Sequence, residues 1–129
     1  MKRKLKFRAY SRINGKMMQW SDIKRLGNLS KLLTLNHVTV MQFTGLVDKN
    51  GQEIYEGDYL VDRFPADEDD PEQGQIESLL PVVWCDKQLM WCVDSSFKKD
   101  GSYLTSLVEY FGDQLEVKGN IYQTKQSNP

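Results

Sequence analysis

The chain is short of the residues from which active sites and staples are usually built: one histidine, two cysteines and four prolines among 129 residues, with a net charge of only −1. A single histidine, His37, leaves a serine or cysteine hydrolase without a choice of base, and its leucine and β-branched neighbours suit a structural ring. Cys85 and Cys92 are too few for a disulfide framework. With His37 they make only three potential metal ligands, whereas a structural zinc site draws on a close C-x-x-C pair and four ligands. They read as soft core thiols, kept reduced in a cytoplasm. No stretch approaches the roughly 20 apolar residues of a membrane span, and the basic start, residues 1–7, lacks the apolar run of a secretion signal. The expected setting is therefore cytoplasmic, with no metal and no cofactor.

Charge is scarce as a sum but uneven as a pattern. Lys2, Arg3, Lys4, Lys6, Arg8, Arg12 and Lys16 all precede the first acid, Asp22, whereas Asp67, Glu68, Asp69, Asp70 and Glu72 crowd one later stretch. Near-neutrality argues against a strongly basic nucleic-acid binder taken whole. The length fits one domain, or two intimately packed lobes, and burying about two thirds of the unfolded surface sustains a core.

Alternation over Lys6-Phe7-Arg8-Ala9-Tyr10, then Asn14-Gly15, then Lys16-Met17-Met18-Gln19-Trp20, predicts an N-terminal hairpin closed by a type I′ turn. Ser21 suits an N-cap ahead of Asp22, Ile23 and Leu26, with Gly27 or Asn28 as the stop. Leu29, Leu32, Leu33 and Leu35 have no clean period and read as a connection over the core. Residues 38–44 predict a central strand, Asp48-Lys49-Asn50-Gly51 a tight turn, and residues 52–55 the returning strand. Asp48 to Gly51 also overlaps part of a calcium loop, but Leu46 and Gly57 stand where its outer ligands belong. Glu56-Gly57-Asp58 re-aims the backbone into a strand over 59–63, an arrangement like the opening of small SH3-like barrels.

Residues 64–74 hold two prolines and almost nothing apolar, and predict a mobile loop. Residues 75–85 resume as a strand broken at Pro81, a residue suited to a bulge or an edge. A following four-residue loop would place Cys85 opposite Met90 and Trp84 opposite Trp91; a two-residue loop would place Cys85 opposite Cys92. Packing of both tryptophans inside the barrel is favoured over one of them capping a groove. Residues 97–102 read as a polar connection. Leu104, Leu107, Val108 and Phe111 then fall at helical spacing ahead of Gly112. Residues 115–122 alternate until Gly119, which marks a bulge, and the tail from Gln123 should fray.

Three blocks resemble the YopX family in order and spacing: Lys6-Phe7-Arg8-Ala9-Tyr10, residues 40–58, and residues 115–122. The middle block carries most of the resemblance, through Met41, Gln42, Phe43, Thr44 and Gly45, then Asp48, Asn50 and Gly51, then Ile54, Tyr55, Glu56, Gly57 and Asp58. Gly119, Asn120, Ile121 and Tyr122 close it. Residues 64–74 and 76–101 match poorly. The resemblance implies a mainly β protein with minor helix: an N-terminal β lobe over 1–56 and an SH3-like barrel lobe over 57–129, carried by phages or prophages in a bacterial host. It implies no catalytic residues.

Glu53, Glu56 and Asp58 could be imagined as acid–base carboxylates of a small enzyme, but hydrogen-bonded turn chemistry explains them better. Lys4, Lys6, Arg8, Arg12 and Lys16 could meet phosphates, with Phe7, Tyr10 or Trp20 for stacking. Strand parity puts Lys4, Lys6 and Arg8 on one side with Tyr10, and Leu5, Phe7 and Ala9 on the core side. The same asymmetry serves self-association, the basic hairpin of one copy meeting the acidic loop of another around an apolar centre. The preferred expectation is a non-enzymatic accessory protein that binds a host or phage macromolecule and self-associates; nucleic-acid binding is the alternative.

Overall fold

The computed structural model describes residues 4–27, 29–95 and 104–123. Two antiparallel sheets dominate it, one of four strands and one of five, the latter curled into a half-barrel. The chain divides into two compact units, Met1–Leu46 with Glu53–Glu56, and Val47–Gln52 with Gly57–Pro129. The mainly β architecture with an SH3-like second part is as the sequence predicts.

In the first unit, β1 (Phe7–Ser11) pairs with β2 (Lys16–Met18) and with β3 (Val38–Val47), which lies inside the sheet as expected. The turn between β1 and β2 is not type I′. Ser11 faces Lys16 across a four-residue loop, only Gly15 there has positive φ, and its N–H bonds to Ser11 O at 2.9 Å. Asn14 instead spends its side chain on the Lys16 N–H.

Helix α1 (Trp20–Leu26) starts two residues earlier than expected. Gln19, not Ser21, is the N-cap, because Asp22 reaches back to the Gln19 N–H in a capping box. Gly27 ends the helix at φ 66°, its N–H on Ile23 O. The leucine-rich connection contains a one-turn helix, α2 (Leu29–Leu32), with no buried residue. Ala9, Ile23, Met41, Phe43, Ile54 and Tyr55 make this unit's core, and full burial of a side chain such as Ile54 is worth about 1.5–3 kcal/mol. Strand β4 is Glu53–Tyr55.

In the second unit, β5 (Asp58–Pro65) pairs with the first part of β6 (Gln75–Cys85), from Tyr59 opposite Pro81 to Pro65 opposite Gln75. Pro81 stands in an unbroken strand with no bulge, and β5 is its strand partner while β7 (Met90–Asp94) pairs only from Val82, so of the two expected settings it has the edge and not the bulge. Interruption is unnecessary because β6 changes neighbours there: residues up to Pro81 pair with β5, and those from Val82 onward with β7. The β6–β7 register is that of the four-residue loop, with Cys85 opposite Met90 and Trp84 opposite Trp91. Both cysteines are free and buried. The tryptophan rings meet edge to face at 5.0 Å, but Trp84 is 41% exposed, so it is not packed inside the barrel.

Leu104 belongs to a short strand, β8 (Leu104–Ser106), and not to the helix predicted over it; α3 (Leu107–Phe111) begins only after Ser106, whose hydroxyl caps the Glu109 N–H. The polar connection predicted over 97–102 and the tail from residue 124 lie outside the described residues. Strand β9 (Val117–Asn120) pairs with β5, and the register slips by one residue between Asp58 opposite Asn120 and Leu60 opposite Val117. The expected bulge is at Gly119, where φ is 79°.

The predicted structureless loop over 64–74 is structured. Phe64 and Pro65 extend β5, Ala66 N–H bonds to Gly74 O, and Asp70 caps a 3-10 turn (Pro71–Gln73) through the Glu72 N–H. Asp67 likewise accepts the Asp69 N–H at 2.9 Å. Aspartates that look from composition like a solvated charge run are satisfying local backbone donors.

Candidate functional site

The residues of the YopX-like blocks turn out to build the framework. In the first unit Met41, Phe43, Ile54 and Tyr55 are core, Thr44 donates its hydroxyl to Ile54 O at 2.7 Å and accepts the Leu46 N–H, and Gln42 O accepts the Glu56 N–H. In the second, the turn Val47–Gln52 is organised around Asp48. Its Oδ1 accepts the N–H groups of Asn50 and Gln52, both at 2.9 Å, and its Oδ2 accepts that of Val117 at 3.0 Å. Burial by itself would raise the Asp48 pKa, yet the bonds from Val117, Gln52 and Asn50 overcome it and hold the carboxyl below its ordinary value.

Gly51 closes this turn at φ 84°, its N–H on Asp48 O. Gly57 donates to Val82 O and accepts from Ile121 N–H, while Asn120 caps the N–H groups of Tyr122 and Gln123. So the Gly57-Asp58 block and the Gly119-Asn120-Ile121-Tyr122 block meet in one strand pair. Gly45, also at positive φ, lies in β3. Asp58 is 2% exposed. Glu53 is ion-paired with Lys6, and Glu56 is half-buried with its pKa raised, chiefly by burial. His37 contributes its carbonyl to the Arg12 N–H just before β3. Among the described residues, no group of three or more His, Cys, Asp or Glu side chains is placed to hold a metal.

The basic side chains of the N-terminal hairpin separate into two kinds. Arg8 is buried, not displayed: its guanidinium stacks on Tyr55 at 4.9 Å and donates to Glu56 O at 3.2 Å. That corrects the parity argument, which identifies a side of the strand but not what covers it. Lys6 is held by Glu53 and lies over the Phe43 ring. Arg12 donates to Thr39 Oγ1 and to Asn36 O, while remaining exposed with Lys4, Ile13 and Lys16. The charged tip is therefore the β1–β2 loop, with Ile13 76% exposed at its centre.

The feature that sequence reasoning missed is a β ribbon. Among the described residues, β9 pairs with β5 no farther than Leu60 and β7 with β6 only from Val82, so Asp62 to Pro65 and Gln75 to Ser78 have only each other as strand partners. Alternation gives this ribbon two faces. One carries Phe64 directly opposite Ile76, 42% and 46% exposed, and next to them Asp62, which accepts the Tyr110 O–H at 2.6 Å.

The other face carries Arg63 opposite Glu77, within a chain of ion pairs. Arg63 grips Glu116 with both terminal nitrogens, at 2.8 and 3.3 Å, and Glu77 at 3.2 Å; Lys49 holds Glu116 and Lys118 holds Glu77. These cations pull the Glu116 pKa to about 2. The tip of the ribbon carries Asp67, Glu68, Asp69, Asp70 and Glu72, and no Lys or Arg lies between Arg63 and Lys87.

Charge divides with the units. Met1–Leu46 with Glu53–Glu56 contains ten Lys/Arg and three Asp/Glu, a net charge of +7; Val47–Gln52 with Gly57–Pro129 contains seven and fifteen, a net charge of −8. The overall value of −1 is a cancellation between two strongly charged units.

Residues 6–126 match the family described as YopX protein. The chain is similar to a solved structure, protein EF1440 from Enterococcus faecalis, with a TM-score of 0.61, 19% identity, and coverage of 97% of this chain and 98% of that one. At that identity the likeness shows the fold alone. No curated protein matches the chain. With nearly its whole length matched, the chain belongs to the YopX family.

Proposed function

We propose that this YopX-family chain is a non-enzymatic accessory protein of a phage or prophage, acting in the bacterial cytoplasm by binding a macromolecule through the β5–β6 ribbon. The observation that supports this most is the Phe64–Ile76 pair, two large apolar side chains side by side on a two-stranded ribbon that carries five acids at its tip. An isolated pair of strands is marginal in water, and apolar side chains on it are stabilised when something covers them. The acidic tip selects a basic partner and the apolar pair supplies the desolvated centre that exposed charges need. The polar residues of the YopX-like blocks serve turns and strand junctions, whereas the ribbon holds its apolar pair and its acids on the surface.

Affinity capture from induced host cells tests this reading, comparing the native chain with Phe64→Ser/Ile76→Ser. A partner retained by the first and lost by the second supports it; a partner retained equally by both overturns it. A second reading, nucleic-acid binding by the first unit, draws on its net charge of +7 and on the exposed Lys4, Arg12 and Lys16. A gel shift that weakens with salt and is lost in Lys4→Glu/Lys16→Glu supports that alternative; binding unchanged in the variant removes it.

A further inference from the structure

We infer that the basic partner of the ribbon is a second copy of this chain, engaged at the tip of its β1–β2 hairpin. This rests on the ribbon reading proposed above and names what the ribbon binds. The chain itself carries the complementary surface. The ribbon offers an apolar pair, Phe64 and Ile76, beside a tip whose charged residues are all acidic; the β1–β2 loop offers an apolar side chain, Ile13, between Arg12 and Lys16. An apolar centre flanked by charge of one sign thus meets an apolar centre flanked by the other, which is how a contact obtains both burial and orientation.

The bipolar charge supports the same occupant. The +7 unit of one copy attracts the −8 unit of another, and like units repel. A contact between two different surfaces of identical subunits is heterologous, so it closes into a ring or continues as a filament instead of stopping at a two-fold dimer. Because the flanking charges are exposed, screening at physiological salt, with a Debye length of about 8 Å, weakens the contact without abolishing the apolar part.

Light-scattering mass on the full chain tests it, with three variants at exposed positions. The native protein at tens of micromolar and low salt is expected at a multiple of 15.0 kDa, falling as salt is raised. Glu68→Lys/Asp69→Lys/Glu72→Lys and Lys16→Glu should each run as 15.0 kDa monomers, while an equimolar mixture of the two, which restores opposite charges at both contacts, should return to the native mass. Phe64→Ser/Ile76→Ser should be monomeric in every mixture. A native chain that stays monomeric at low salt, or a mixture that fails to reassemble although both variants keep native circular dichroism, overturns the inference. If capture from host cells still depends on Phe64 and Ile76 in that case, the ribbon reading stands and only its partner changes; if capture does not depend on them, both fall.

Discussion

Asp48 and Val117, 69 positions apart in the chain, are joined by one hydrogen bond of 3.0 Å from the Val117 N–H to the Asp48 carboxylate. Through it the turn Val47–Gln52 is tied to the start of β9, and the same carboxylate closes the turn on Asn50 and Gln52. A residue that reads as a turn former is thus also a long-range tie.

Replacing Asp48 with Ala removes the acceptor from three backbone donors and is expected to cost about 2–4 kcal/mol, measured by chemical denaturation. Asp48→Asn keeps one acceptor oxygen and should fall between. Because the folded-state pKa lies below the ordinary value of 3.8, the carboxylate's contribution is present above that value and is lost as pH falls through the lower one. The Asp48→Asn variant should show a shallower loss of stability on acidification than the native chain.

Glu116 is expected to titrate with a midpoint near 2, followed by carboxyl carbon shifts in NMR. Arg63→Ala removes the largest cause, the paired guanidinium bonds, and should return the midpoint toward 4.5, whereas Lys49→Ala should move it less. The sign follows the same rule: the ion pairs contribute above 4.5 and are lost as pH falls toward 2.

Tyr110 donates to Asp62, and burial together with that carboxylate raises its pKa to about 12. Ultraviolet titration should resolve one late phenolate. With a folded pKa above the unfolded value of 10.0, its contribution is complete below 10.0 and is lost as pH rises toward 12. Tyr110→Phe should cost about 1 kcal/mol at neutral pH and remove the late step.

Cys85 and Cys92 lie opposite Met90 and Val83 in the ladder, not opposite each other, and burial followed by the neighbouring Cys85 thiol raises the Cys92 pKa. Both thiols should react slowly with a disulfide reagent in the folded protein and rapidly in denaturant. Rapid reaction of Cys92 in the native state would contradict its burial.

The sequence conveys elements whose signals are local. The hairpins around Gly15 and Gly51, the stop at Gly27 and the bulge at Gly119 all follow from residues at or beside the feature. It conveys less where the deciding partner is distant. Arg8 reads as a surface cation until Tyr55 and Glu56 are brought against it, and Pro81 reads as a breaker until β6 is seen to exchange β5 for β7 at that point. The ribbon was hidden for a different reason. Composition makes residues 64–74 look unable to order themselves, yet Asp67 and Asp70 cap nearby N–H groups, and Phe64 and Ile76 pair across the ribbon at the edges of that stretch. The opposite charges of the two units are visible only once Val47–Gln52 is grouped with the second one.

Backbone amide NMR of the native chain, followed as its concentration rises from about 20 to about 500 micromolar at low salt, tests the association directly. Shifts or broadening confined to Phe64, the acidic tip, Ile76, and the loop of Arg12, Ile13 and Lys16 are expected, reversing when salt is added. Unchanged spectra across that range, or changes that leave either of these two surfaces untouched, would contradict it.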